Sequence, residues 1–177
     1  MNNNMEKYDR QNRTIGVDAT KKLVNSTAVI IGLKDGLATE TSSKLILSGV
    51  SNMILVNDGS VESSDLDTGF YYQEKDIGFD RSTVLKSKLM ELNPYAKIDC
   101  INFEDINFNN VVIILHDDTL EKAVKINKYC RENKNKFIWI RNRGISGFVF
   151  VDALEEHQIT DLTGEVIDPV QLASISF

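Results

Sequence analysis

The turn Gly32-Leu33-Lys34-Asp35-Gly36-Leu37-Ala38 is the stretch of this chain best suited to chemistry. It follows the run Ala28-Val29-Ile30-Ile31 and leads into a helix-forming segment. Glycines at such a turn let the backbone approach phosphate at the positive N-terminus of the helix. Here Gly32 and Gly36 remain, with Lys34 and Asp35 at the centre of the loop. A carboxylate at Asp35 lies close to where phosphate would sit, and like charges repel. The same residues also make a plain strand-to-helix turn.

Other reactive side chains carry weaker signals. His116 follows the apolar run Val111-Val112-Ile113-Ile114-Leu115, where α/β sheets place catalytic groups. No Ser, Cys or carboxylate partner is identifiable for it, so it reads as a turn histidine. Asp118 reads as a solvated acid at a helix start. Cys100, Cys130, His116 and His157 lack the close pair spacing of structural zinc sites, and no metal site is expected. The two thiols read as reduced core residues of a cytosolic or nuclear protein. Lys21-Lys22, Lys86 and Lys88 read as solvated helix faces.

The whole chain narrows the class. A net charge of −6 over 177 residues argues against a nucleic-acid partner, which requires a basic footprint. No apolar run approaches the ~20 residues that span a bilayer, so no membrane role is expected. Met1-Asn2-Asn3-Asn4-Met5-Glu6-Lys7 has no apolar core of a signal peptide and reads as a flexible start. The length suits one domain that buries its core without staples.

The elements that must hold the loop are short strands alternating with helices. Helical segments are expected over 8–25, 37–50, 81–92 and 119–133, and strands at 28–31, 53–56, 96–101, 111–115 and 137–140. Continuous β-branched runs suit strands covered on both faces. Asn93-Pro94 ends the third helix, because the residue before proline avoids the α region. Segments 146–152 and 156–160 look like an antiparallel pair, and 163–177 has weak signals. This pattern predicts an α/β, Rossmann-like, doubly wound and mostly parallel sheet with a short antiparallel C-terminal pair.

Several segments together resemble a known family. They are Tyr8-Asp9-Arg10-Gln11, Gly16, Lys22-Leu23, Gly32-Leu33-Lys34, Gly36-Leu37, Glu40, Ile46-Leu47 and Gly49-Val50. Asp65-Leu66, Phe70-Tyr71, Asp76-Ile77-Gly78, Leu92-Asn93-Pro94, the stretch 144–147 and Asp161-Leu162-Thr163-Gly164-Glu165 continue the match. The chain resembles the N-terminal adenylation repeat of ubiquitin-activating enzymes, the ATP-dependent enzymes that begin ubiquitin conjugation.

That family pairs an active repeat, which binds ATP and magnesium, with an inactive one. The resemblance implies the inactive repeat here. One residue is inserted at Asp35, the third glycine is Ala38, and Thr68 and Gln73 stand where an active repeat has arginines. Arg81 replaces a conserved lysine, and Asp118 stands at the magnesium-associated position without the following arginine. Gly32, Lys34, Asp35, Gly36, Asp58, Arg81 and Asp118 are therefore vestigial positions, with no cofactor expected in this repeat. The family implies that Arg10 reaches in trans to the ATP of the active repeat. The alternative is an exposed helix-start arginine paired with Asp9 or Glu6. The implied partners are the active repeat and ubiquitin or a ubiquitin-like modifier, in cytoplasm and nucleus. Residues 8–162 are expected to form an incomplete adenylation domain with a large exposed apolar patch, and 163–177 to lead to an inserted domain. The non-catalytic subunit of a SUMO- or NEDD8-activating enzyme is the alternative. A free-standing adenylating enzyme of cofactor biosynthesis requires the phosphate loop and arginines that are missing.

Overall fold

The computed structural model describes residues 8–155. Parallel strands β1 (Thr27–Ile31), β2 (Asn52–Val56), β3 (Lys97–Ile101), β4 (Val112–His116) and β5 (Lys136–Arg143) form most of one sheet. Strand β6 (Ser146–Asp152) joins antiparallel to β5, from Arg143 opposite Ser146 to Phe137 opposite Asp152. The strand order is β3-β2-β1-β4-β5-β6. The chain therefore reverses its winding between β1 and β4. The antiparallel C-terminal pair is β5–β6; segment 156–160, and His157 with it, lies outside the described residues.

Side chains alternate across β1 and build two cores. Ala28 and Ile30 join a cluster with Met53, Leu55 and Ile98, covered by α3 (Gly36–Leu47) and α5 (Arg81–Leu92). Val29 and Ile31 join Ile113, Leu115, Phe137 and Trp139 under α6 (Leu120–Glu132). The β-branched runs are apolar throughout because both faces are covered. Side-chain caps start the three long helices: Asp35 accepts from Leu37 N–H, Asp80 from Thr83 N–H and Thr119 from Lys122 N–H. A short helix, α4 (Asp65–Thr68), lies between β2 and α5 and has no counterpart in the sequence-based expectation.

The N-terminal helices α1 (Asp9–Ile15) and α2 (Val17–Val24) meet at Gly16. Helix α1 is pinned to the far end of α3. Gln11 Nε2 donates to the Ser48 carbonyl at 2.8 Å. The Tyr8 ring lies against Gly49, where a φ of +101° and the 3.1 Å that would separate an added Cβ from that ring both favour glycine. At the edge of the sheet β6 exposes Phe148, Val149, Phe150 and Val151. Phe148 packs edge-on to Trp139 with ring centroids 4.8 Å apart. Among the described residues no helix is long and apolar enough to cross a membrane.

Candidate functional site

The C-terminal ends of β1, β2 and β4 meet where the winding reverses, the place where open α/β sheets hold ligands. A cavity of about 620 Å³ lies there. The loop from Gly32 to Asp35 forms one wall, and Asp58, Asp65, His116, Asp117 and Asp118 contribute to the rest.

Both retained glycines are required by close approaches within the chain. A Cβ at Gly32 would lie 2.4 Å from the His116 carbonyl oxygen, at a φ of +94°. A Cβ at Gly36 would lie 1.9 Å from the Thr68 carbonyl oxygen. Helix α4 therefore presses directly on the start of α3. Of Thr68 and Gln73, Thr68 supplies this backbone contact. Gln73 caps the short turn Glu74–Asp76, and its own N–H donates to Asp76 at 3.0 Å.

The donors of the loop are held by carboxylates. Lys34 N–H donates to Asp58 Oδ2 at 3.0 Å, and Leu37 N–H donates to Asp35 Oδ1 at 3.2 Å. The Lys34 ammonium donates to Glu62 at 2.9 Å. Glu62 is exposed, and the Lys34 ammonium beside it holds its carboxyl below the ordinary value. Burial raises the Asp58 carboxyl above its ordinary value, against the Lys34 N–H and the Arg81 charge.

Arg81 is the buried cation of this region. Its side chain is 3% exposed and its Nε donates to Asp65 Oδ2 at 2.8 Å, with the Asp65 side chain 1% exposed. Its Nη1 donates to the Asp58 carbonyl at 3.2 Å. Asp65 also accepts from Glu62 N–H at 2.9 Å. Arg81 thus ties β2, α4 and α5 together.

His116 differs from the sequence expectation of a turn histidine. It is the last residue of β4 and is buried: β4 runs one residue further than expected, and Gly32 and Asp35 of the loop lie against it. Its Nδ1 stands 3.7 Å from Asp35 Oδ2, beyond hydrogen-bond length. Burial acts to raise the Asp35 carboxyl, but the His116 ring and the Leu37 N–H outweigh it, and Asp35 sits below its ordinary value.

The remaining acids are paired. Asp118 contacts Lys122 at 2.5 Å and accepts from Thr119 N–H at 2.7 Å. Asp117 pairs with Arg143 from the β5–β6 hairpin. Sequence reasoning missed Asp65, Glu62 and Asp117, whose partners are remote in the chain. Cys130 is buried in the α6 core, whereas Cys100 is half-buried on β3. Arg10 stands apart: it is exposed on α1, and Asp9 pairs with Arg13 at 2.8 Å instead. Glu6 lies outside the described residues.

The donors at the start of α3 are occupied within the chain. Asp58 and Asp35 hold the Lys34 and Leu37 N–H groups and Glu62 holds the Lys34 ammonium, while both acids (Asp117, Asp118) and a second lysine (Lys122) line the rest of the cavity.

The chain is similar to several known proteins. The ThiF family matches residues 8–162. The chain is 33% identical over 161 residues to ubiquitin-like modifier-activating enzyme 1 of Homo sapiens, across 89% of this chain and 15% of that protein. It is 34% identical over 164 residues to SUMO-activating enzyme subunit 1 of Dictyostelium discoideum, across 89% of this chain and 49% of that one. The chain therefore spans a minor part of the first and about half of the second. Among solved structures, that of E. coli MccB with ATP shares the fold with a TM-score of 0.64. That likeness has 22% identity and covers 76% of this chain and 44% of MccB.

Proposed function

The chain belongs to the ThiF family, and from that premise we propose that it is the inactive adenylation half of an ATP-dependent ubiquitin-activating enzyme. In this reading it packs on an active adenylation repeat, in the same chain or a partner subunit. It supplies Arg10 to the nucleotide held there, and works with ubiquitin or a ubiquitin-like modifier in cytoplasm and nucleus. ATP and magnesium belong to the active repeat.

The observation that carries this reading is the filling of the phosphate loop by Asp35, Asp58 and Glu62. A local catalytic site needs those donors open. The placement of Arg10 supports the second half of the proposal. Tyr8 and Gln11 fasten α1 to the C-terminal end of α3, one helix length away from the loop. At 12 residues α3 spans ~18 Å. Arg10 is thus remote from its own cavity, exposed, and without an ion-pair partner among the described residues. A guanidinium is always charged and offers a planar fork of donors suited to phosphate oxygens. Supplied from the inactive half, it makes adenylation depend on correct pairing.

The similarity to a SUMO-activating subunit supports a second reading, the non-catalytic subunit of a SUMO- or NEDD8-activating enzyme. Arg10 has the same role in both. The test uses the enzyme assembled from this chain and its active repeat, with ATP–pyrophosphate exchange as the readout. Arg10→Ala should lower exchange by roughly 10- to 150-fold, the equivalent of about 1.5–3 kcal/mol for a charged hydrogen bond. Arg13→Ala, on the same helix but paired with Asp9, is the control. Arg10→Ala activity within about twofold of wild type, a difference of roughly 0.4 kcal/mol, would refute the role.

A further inference from the structure

Strand β6 ends the sheet, and among the described residues no strand pairs with its outer side. Natural edge strands are usually short, bulged or studded with lysine or proline, because their free N–H and C=O groups recruit other strands. β6 has none of these devices. It runs seven residues, Ser146-Gly147-Phe148-Val149-Phe150-Val151-Asp152, in unbroken register with β5. Its single charge, Asp152, is buried and held by Arg131 at 2.7 Å.

The hairpin fixes which backbone groups are free. The two-residue turn Gly144-Ile145 closes on the pair Arg143–Ser146, which exchanges hydrogen bonds, and the pattern alternates from there. Phe148 and Phe150 therefore turn their N–H and C=O toward β5. Gly147, Val149 and Val151 turn theirs outward, spaced evenly about Val149. Such an edge is complementary to itself. With a twofold axis at Val149, antiparallel pairing sets Val149 against Val149 of a second copy and Gly147 against Val151. Each outward donor then meets an outward acceptor.

The side chains suit the same register. Phe148 falls opposite Phe150 of the second copy, on the face where Phe148 already packs on Trp139. Cross-strand aromatic pairs of this kind are stabilising. Asp152 falls opposite Ser146, so no charge meets its own kind across the axis. The four apolar side chains of β6 are 45–61% exposed, and Leu120 and Val124 of α6 lie exposed beside Phe150. Together they offer roughly 600 Å² per copy, near the ~800 Å² that a standard interface takes from each partner.

We propose that β6 is a self-association edge, through which two copies of this chain pair antiparallel about a twofold axis at Val149. The two sheets then run on as one, and the interface is isologous. The proposal does not rest on the reading of the loop or of Arg10.

The test is sedimentation and light scattering of the full chain over a dilution series. An interface at the small end predicts a dimer with a Kd on the order of 10 µM. Val149→Lys and Val149→Glu each put like charges opposite one another and should each weaken the dimer at least about tenfold. An equimolar mixture of the two should recover association to within about threefold of the unsubstituted chain, since lysine then meets glutamate. Only a residue that faces its own copy behaves this way. Val149→Pro removes an outward N–H that β5 does not use, and should give a cooperatively folding monomer. A chain that stays monomeric at roughly 100 µM, ten times that Kd, would overturn the proposal, whatever else covers the edge. So would a dimer that tolerates Val149→Pro, or charge variants that do not recover on mixing.

Discussion

Replacing Arg81 by methionine keeps most of the side-chain volume but strands a buried carboxylate. The Arg81–Asp65 contact is 2.8 Å long between side chains 3% and 1% exposed, so solvent cannot compensate the remaining charge. Removing one partner of a buried pair costs about 3–5 kcal/mol. Asp65 keeps the Glu62 N–H at 2.9 Å, which places the expected loss at the lower end, about 3 kcal/mol. For a domain of this size each kcal/mol lowers Tm by roughly 2–4 °C, so Arg81→Met should melt about 6–12 °C lower. Urea unfolding should show a lower midpoint with an unchanged slope. Adding Asp65→Asn removes the stranded charge and keeps an acceptor for Glu62 N–H. The double variant should therefore recover part of the loss, and the two losses should not add. An Arg81→Met loss under about 1 kcal/mol, or strict additivity, would refute the buried-pair argument.

Asp35, Asp80 and Asp152 all sit below the ordinary carboxyl value of 3.8, because polar partners outweigh the effect of burial. Such groups contribute stability above that value and lose it as pH falls through their folded pKa, so urea midpoints should drop below about pH 5. Asp152→Asn, opposite Arg131, should flatten that drop, and an unchanged slope would contradict it. Asp58 has a raised pKa, so its contribution changes in the opposite direction. Burial pushes the Cys130 thiol up to about 12, so iodoacetamide at mildly alkaline pH should label half-buried Cys100 first and Cys130 only on unfolding. Equal native labelling rates would contradict this.

The sheet was legible because its signal is local. Runs such as Val111-Val112-Ile113-Ile114-Leu115 bury on both faces, and α5 begins at the Asp80 cap and ends before Asn93-Pro94 as their types require. Helix α4 was not legible, since four residues cannot show an apolar period. Strand β5 extends through Arg141 and Arg143, where pairing with β6 rather than hydrophobic pattern holds it extended. The loop was legible as a strained fit for phosphate through Asp35. Its actual occupants were not. Arg81 meets Asp65 across 16 positions, and Lys34 meets Asp58 across 24, distances at which no spacing rule applies. His116 was placed at the right end of the right strand, but its burial depends on the loop residues Gly32 and Asp35 lying against it.

Calorimetric titration of MgATP into the chain asks whether this loop is closed to triphosphate. Missing two charge-assisted contacts, at about 1.5–3 kcal/mol each, should weaken binding by roughly two to four decades. No site tighter than roughly 0.1 mM should therefore appear, two decades above a micromolar one. A saturable micromolar site that weakens on Lys34→Ala would show the loop to be a working nucleotide site, not a closed one.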